Sequence, residues 1–273
     1  MRTPGQMRAI ALTTVAVLLL AAPVSAKPIL HWKFDESTGT TASDSAPDAG
    51  PDGGNNDGTL EDFPDPTDPR RVAGKAGKAL KFAGGDTGNE ELVVNNITDQ
   101  TLNSYTVSLW SRTSNPGQQE FVSVFSSKRG IDGGSFIDTF QIDMDGSGKY
   151  RFLTDGNGKY SFGSVADDAW QHLAATVEGT SLNLYLDGTQ SHTAGLLNHE
   201  GKLFQAYQAG ANRGNNRFFT GLLDDIQLYD TALSGDQIEF LSDNPGSVIP
   251  EPAALALLAL SGILILARRN MRC

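Results

Sequence analysis

Asp224, in the segment Gly221-Leu-Leu-Asp-Asp-Ile-Gln-Leu-Tyr229, combines a reactive group with a setting that does not suit it. A strand alternation of two places Leu222, Asp224, Ile226 and Leu228 on one face, with Leu223, Asp225, Gln227 and Tyr229 on the other. Asp224 is thereby predicted to travel with the apolar set. A carboxylate among apolar neighbours is costly unless it is hydrogen-bonded or bound to a cation.

Other stretches carry less chemistry. In Asp143-Met-Asp-Gly-Ser-Gly-Lys149, residues Asp143, Asp145, Ser147 and Gly148 fit the opening of a calcium-binding EF-hand loop, but the position that needs a bidentate glutamate is Thr154. A hairpin turn at Asp145–Gly148 is the favoured reading, and Asp155–Lys159 reads likewise. His172 reads as a packed strand residue, while His31, His192 and His199 are scattered with no metal-ligand spacing. There is no Gly-x-Ser-x-Gly elbow. The lone cysteine, Cys273, lies beyond an apolar tail, so neither a disulfide nor a cysteine nucleophile is expected in the body of the chain. No catalytic residue is assigned. One loop, Gly210–Phe219, gathers Asn212, Arg213, Asn215, Asn216, Arg217 and Phe218, a set able to contact a polar ligand; the alternative is a plain hairpin tip ahead of the last strand.

The elements that must position these residues are short runs rich in β-branched and aromatic residues, separated by Gly, Asn and Asp clusters. They fall at 28–34, 79–83, 91–94, 104–112, 121–127, 136–145, 149–155, 169–178, 181–188, 202–210 and 221–229. Leu182, Leu184 and Leu186 share one face of their strand, and Asp187-Gly188 supplies a hairpin turn. A short closing helix is predicted from Ser234 to Leu241, with Ser234 and Gln237 as a capping box. Residues 43–70 form a long acidic loop. The chain has 32 Asp and Glu against 21 Lys and Arg, a net charge of −11, and several of the arginines lie in the end segments. That balance argues against nucleic acid as a partner and for solubility and divalent-cation affinity.

The ends have signatures of their own. Residues 1–26 combine Arg2 and Arg8, an apolar run and Val24-Ser25-Ala26, the pattern of a secretory signal peptide. The other end joins a linker, 244–252, predicted to be mobile, to a tail at 253–273. Its apolar run, Ala253–Ala267, makes a helix of roughly 23 Å, a marginal membrane span, and Arg268, Arg269 and Arg272 follow it. Pro250-Glu251-Pro252, apolar helix and arginine cluster, in that order, resemble the PEP-CTERM sorting signal of Gram-negative bacteria that make extracellular polysaccharide. The resemblance implies processing by an exosortase, transient membrane contact through the tail, and an address at the cell envelope, outer surface or extracellular matrix.

Between the ends, residues 27–243 resemble the laminin G-like, concanavalin A-like domain. The resemblance rests on LHWKFDESTGTTASDSA, DDAWQHLAATVEGTSLNLYLDG and FTGLLDDIQLYDTALSGDQIEFL, in that order. It implies an all-β fold, an antiparallel two-sheet jelly-roll sandwich. It also implies a structural Ca²⁺ where an N-terminal loop meets the final strand, with Asp224, Asp35 and Asp44 as side-chain ligands. Ca²⁺ accepts roughly six to eight such oxygens in loose geometry. The alternative is that Asp224 caps backbone amides of the front loop without metal. The Glu-x-Asp-x-x-Glu pattern of glycosidases with this fold does not occur. The expectation is therefore a non-enzymatic binder of carbohydrate or another extracellular polymer, supported by calcium. A structural or adhesive protein that binds other proteins is the alternative, and a glycoside hydrolase or lyase ranks last.

Overall fold

A computed structural model describes residues 26–46, 55–63, 70–84, 92–129, 137–154, 158–196, 201–212 and 217–250. Residues 1–25, which hold most of the expected signal peptide, residues 251–273 with the apolar tail and arginines, and the loop residues Arg213, Asn215 and Asn216 lie outside them. Residues 26–250 form one compact unit.

Among the described residues sixteen strands and one helix follow in chain order. They begin with β1 (Pro28–Trp32), β2 (Thr41–Ala42), β3 (Gly58–Glu61), β4 (Arg71–Ala73), β5 (Lys78–Ala83) and β6 (Leu92–Leu102). Next come β7 (Ser104–Arg112), β8 (Val122–Arg129), β9 (Ile137–Met144), β10 (Lys149–Thr154) and β11 (Lys159–Ser164). The last are β12 (Gln171–Glu178), β13 (Ser181–Leu186), β14 (Thr189–Gly195), β15 (Lys202–Ala209), β16 (Thr220–Tyr229) and helix α1 (Gly235–Asp243). The first sheet runs β14-β13-β12-β7-β16-β5-β4, with β1 also paired to β16; the second runs β11-β10-β9-β8-β15-β6-β3-β2. All the ladders are antiparallel, and the two sheets form the expected jelly-roll sandwich.

Alternating residues of both sheets meet in a core rich in rings. Leu30 and Trp32 of β1, Tyr105, Val107 and Leu109 of β7, Leu182 and Leu184 of β13, and Phe140 and Ile142 of β9 are all fully or nearly fully buried there. Tyr105 stacks on Phe140 at 5.6 Å and meets Phe204 edge-on at 5.3 Å. Trp32 meets Phe125 edge-on at 6.1 Å, a contact that joins β1 of the first sheet to β8 of the second. Such ring pairs add about 0.5–1.5 kcal/mol each beyond their area. The turn at Asp187-Gly188 has φ of 51° and 76°, as a type I′ hairpin requires. Helix α1 has the capping box of Ser234 and Gln237. Its buried Ile238 and Leu241 pack with Ala174, Tyr185 and Tyr229 on the outer face of the first sheet.

One alternation differs from the prediction. The pairing of β16 with β7 slips between Asp224, opposite Trp110, and Gln227, opposite Ser108, and Asp225 takes a left-handed φ of 50°. This β-bulge inserts one residue and reverses the faces beyond it. The core side of β16 is therefore Leu223, Ile226 and Leu228. Asp224 does not share that face, and Leu222 is only half-buried. Up to Leu223 the strand pairs with β5, and from Ile226 onward the same edge pairs with β1, so the bulge falls in the gap between two partners.

The segment after α1 also differs from the mobile linker expected of it. Gly246 donates its N–H to Asp225 at 2.7 Å, Gln227 donates to the Ser247 carbonyl at 2.9 Å, and Ile249 is buried in the cluster under α1. The folded unit thus continues to Pro250. Ile249→Asp, which puts a charge into that cluster, is expected to lower the melting temperature by roughly 5–10 °C, from ~2–3 kcal/mol at about 2–4 °C per kcal/mol. A freely mobile segment would leave the thermal melt unchanged.

Candidate functional site

The three aspartates expected to bind calcium do not assemble into one cage. Asp224 Oδ2 accepts the backbone N–H groups of Lys75 at 2.7 Å and Ala76 at 2.9 Å, in the turn between β4 and β5. Asp35 Oδ1 accepts Lys78 N–H at 2.8 Å at the end of that turn. The close approach depends on glycine. A Cβ on Gly74 would lie 2.6 Å from Asp224 Oδ2, and one on Gly77, at φ 64°, would collide with Asp35 Oδ1. Asp44 works elsewhere: Oδ1 accepts His31 N–H and Ala46 N–H at 2.9 Å, and Oδ2 accepts Asn56 N–H at 3.3 Å. Among the described residues no three His, Cys, Asp or Glu side chains come together to hold a metal. In this arrangement the three carboxylates act as backbone caps, although Asp224 Oδ1 is buried with no partner. Asp224 caps the β4–β5 turn rather than the front loop.

The neighbouring groups close the gap in the first sheet. Asp225 Oδ1 is 2.5 Å from His31 Nε2 and also accepts Gln227 Nε2–H at 2.9 Å. Burial pushes the Asp225 carboxyl up, but its bonds to His31, Gly246 and Gln227 outweigh this and hold it below its ordinary value. Burial pushes Asp224 up to about 7 against the pull of the Ala76 amide, and the charge of Asp225 adds to the rise. His172 is 1% exposed, bonds Ser108 Oγ through Nε2 at 2.8 Å, and is pushed down to about 4 by burial, as a packed strand residue should be.

A different constellation lies on the outer face of the second sheet. Gln208 of β15, Ser126 of β8 and Gln141 of β9 stand side by side across three strands. In the adjoining row Ser123 pairs with Asp143 and Asp143 with Arg151. Each of these positions alternates with core residues such as Phe140, Ile142 and Phe152, which sets it on the opposite face. Yet Ser126 and Asp143 are 0% exposed, Gln141 2% and Arg151 8%. Arg151 binds Asp143 through two bonds, Nε to Oδ1 at 2.9 Å and Nη2 to Oδ2 at 2.8 Å, and reaches Glu120 Oε1 through Nη1 at 2.8 Å. Burial pushes Asp143 up to about 6 against the pull of Arg151, so at neutral pH the pair is ionised. Gln141 Nε2 donates to Asp143 Oδ2 at 3.2 Å, which turns its Oε1 away, and Gln141 Oε1 and Ser126 Oγ have no partner.

The rim brings in part of the loop singled out from sequence. Asn212, Arg217 and Phe218 form its neck, where Ala211 bridges to Phe218 and Asn212 N–H reaches the Arg217 carbonyl at 3.3 Å. Arg217 donates to the Glu120 carbonyl at 3.0 Å. Arg151, Lys159 and Arg217 lie over the Phe121 ring at 5.1, 4.6 and 5.9 Å. Phe121 itself has a φ of 68°, a strained conformation for a bulky residue that such contacts must hold in place. Sequence reasoning placed Asp143 beside a turn and passed over Ser126, Gln141 and Arg151. The usable signal was alternation: polar residues set between aromatic and aliphatic ones in 137–144 and 149–154.

Residues 86–239 match the family described as the Concanavalin A-like lectin/glucanases superfamily. The adhesion G-protein coupled receptor V1 of Danio rerio is 27% identical over 194 residues, 66% of this chain. The chain spans only 3% of that receptor's length. Domain 4 of AbnA, a GH43 extracellular arabinanase of Geobacillus stearothermophilus solved with arabinotriose, superposes with a TM-score of 0.57 at 20% identity, over 80% of this chain and 99% of that domain. The ligand binding domain of Botulinum neurotoxin serotype D, solved with N-acetylneuraminic acid, gives 0.54 at 10% identity, over 79% of this chain and 50% of that one. The Trypanosoma rangeli sialidase bound to the inhibitor DANA gives 0.53 at 14% identity, over 78% and 32%. At these identities the likeness is one of fold, which enzymes and binding domains share.

Three outcomes follow from the aspartates. A carboxyl with its pKa raised to about 7 in the folded state favours the fold most at low pH, and the advantage is lost as pH rises from about 4 through 7. Asp224→Asn keeps the acceptor without the charge, so its stability relative to the parent should grow between pH 5 and 8. Asp224→Ala, which leaves two amides without their acceptor, should cost about 1–3 kcal/mol in urea titration. Chelator should leave the melting temperature unchanged; a fall of several degrees, restored by Ca²⁺, would return these aspartates to a metal role.

Proposed function

From the premise that the chain belongs to the Concanavalin A-like lectin/glucanases superfamily, we propose that it is a carbohydrate-binding module whose site is the outer face of its second sheet. The observation that carries the reading is the polar row of that face, fixed by the Arg151–Asp143 pair, in which Ser126 Oγ and Gln141 Oε1 are among the buried polar atoms without a partner. Leaving such groups unmade costs about 1–3 kcal/mol each, a cost that a ligand's hydroxyls would remove. Similar domains solved with arabinotriose and with N-acetylneuraminic acid support a sugar as that ligand.

The same geometry favours binding over hydrolysis. Glycosidases of the usual kind need two carboxyls free to act as acid and as base or nucleophile. Here Asp143 and Glu120 are both bound to the guanidinium of Arg151, and Glu120 also to Lys159, so neither carboxyl stands free. A displayed binder also accords with the ends of the chain. The signal-like start and the Pro-Glu-Pro, apolar and arginine order support export to the envelope or matrix of a Gram-negative cell, with an exosortase as processing partner.

The test is binding to immobilised bacterial, algal and plant polysaccharides, comparing the parent with Ser126→Ala/Gln141→Leu. Saturable binding weakened by about tenfold or more in the variant, the ~1.4 kcal/mol of a polar contact, is the expected result. Saturable binding that the variant leaves unchanged would move the site off this face. If no polysaccharide binds, the module's partner is of another class.

A further inference from the structure

We propose that the outer face of the first sheet carries a second ligand site, a groove that takes a sugar bearing a carboxylate; it is separate from the face assigned above and shares with that reading only the class of ligand. Helix α1 covers β12, β13 and the C-terminal end of β16, where Ala174, Tyr185 and Tyr229 lie beneath it. The other end of β16 is open. There a groove of about 520 Å³, within the usual range for ligand clefts, runs over Leu222 between Lys81 of β5 and Arg112 of β7. Leu222 pairs with both, so the three stand in one row on the outer face, while their neighbours Leu80, Phe82 and Leu223 are buried in the core.

Each part of the groove calls for a different part of an acidic sugar. The floor is apolar: Leu222 and, beside it, Val72 of β4 are both half-buried. It suits the C–H face of a sugar ring. Asp168, 61% exposed, accepts both Nε and Nη2 of Arg112 at Oδ1, each at 2.9 Å, which leaves Oδ2 to accept from a hydroxyl. Its position is set by the chain, because Asp168 donates its N–H to the Thr113 carbonyl at 2.8 Å and Asp167 bridges to Thr113. Lys81 is the group left over. It is exposed, and among the described residues no carboxylate pairs with its ammonium, although the chain carries a net charge of −11. An ammonium at the edge of an apolar floor favours a carboxylate as its partner. A neutral sugar would leave Lys81 unused, and a sulfate ion, which has no hydroxyl to donate, would leave Asp168 facing a like charge. A uronic acid meets all three groups.

The full chain is titrated with oligogalacturonate, with neutral galactan oligomers of the same length, and with poly-glutamate as a carboxylate polymer that lacks sugar hydroxyls, at low and at high NaCl. The expected result is saturable binding of oligogalacturonate, tighter than that of the other two by about fivefold or more and weakened by salt. Lys81→Gln alters an exposed side chain with no partner to lose, so it should keep the parent's melting temperature and weaken that binding by about fivefold or more, the loss of one charge-assisted contact. Lys81→Arg should restore it, and Ser126→Ala/Gln141→Leu, on the other sheet, should leave it unchanged. Three results would overturn the proposal: no binding of oligogalacturonate, equal binding of the neutral oligomers or of poly-glutamate, or binding that the double variant weakens and Lys81→Gln does not. In each case a neutral polysaccharide bound by the parent and lost in Ser126→Ala/Gln141→Leu would leave the reading of the second sheet in place.

Discussion

The first sheet depends on how two carboxylates fill a break in the bonding of its central strand. One edge of β16 is shared by β5 and β1, and backbone groups at the changeover have no ladder partner. The bulge at Asp225 turns both carboxylates into that gap. Asp224 takes the amides of the β4–β5 turn, while Asp225 takes His31 from β1, Gly246 from the segment after α1 and Gln227 from its own strand. A buried carboxylate is costly without hydrogen bonds, so the bonds that Asp224 Oδ2 and Asp225 make fix where the turn, β1 and the segment after α1 lie. Gly74 and Gly77 follow from the same constraint, because a side chain at either would occupy the space of a carboxylate.

This closure leaves the two outer faces with different roles. On the first sheet the outer polar row is covered by α1 and by the segment ending at Pro250, and its groups mostly find partners within the chain. On the second sheet the outer row is equally buried, and both sheets keep some buried polar atoms without a partner, Trp110 Nε1 and His172 Nδ1 on the first and Ser126 Oγ and Gln141 Oε1 on the second. The second sheet's ion pairs hold the side chains in fixed positions, and Asp143, held by Arg151, is the acceptor that orients Gln141. Buried charges matched in this way give geometry more than stability, which is what a recognition surface needs. The strained Phe121, set under three cations, marks the same edge.

Legibility in the sequence tracked burial. Strands with one face in the core, such as β7, β12, β13 and β16, announce themselves through alternation. The strands at the four sheet margins, β14 and β4 in the first and β11 and β2 in the second, were not predicted. Edge strands bury little, and β14, Thr189–Gly195, is exposed at nearly every position, so no hydrophobic period marks it. Asp224 was recognisable as an anomaly because a carboxylate sat next to leucines, but its assignment to the apolar face failed at a bulge. One inserted residue changes every face beyond it, and no residue type in Leu-Asp-Asp-Ile requires the insertion.

The sequence by itself determined the fold class, the hairpin at Asp187-Gly188, the capped helix and the packed His172, because each rests on interactions between residues close in the chain or on a repeated period. Only the tertiary structure decided which groups the aspartates satisfy and where the unpartnered polar atoms lie. Asp224 meets Lys75 across 149 residues, and Arg151 gathers Glu120 from 31 residues away. Contacts of that separation are set by the order in which strands pair in the sheets, and local chemistry holds no record of that order.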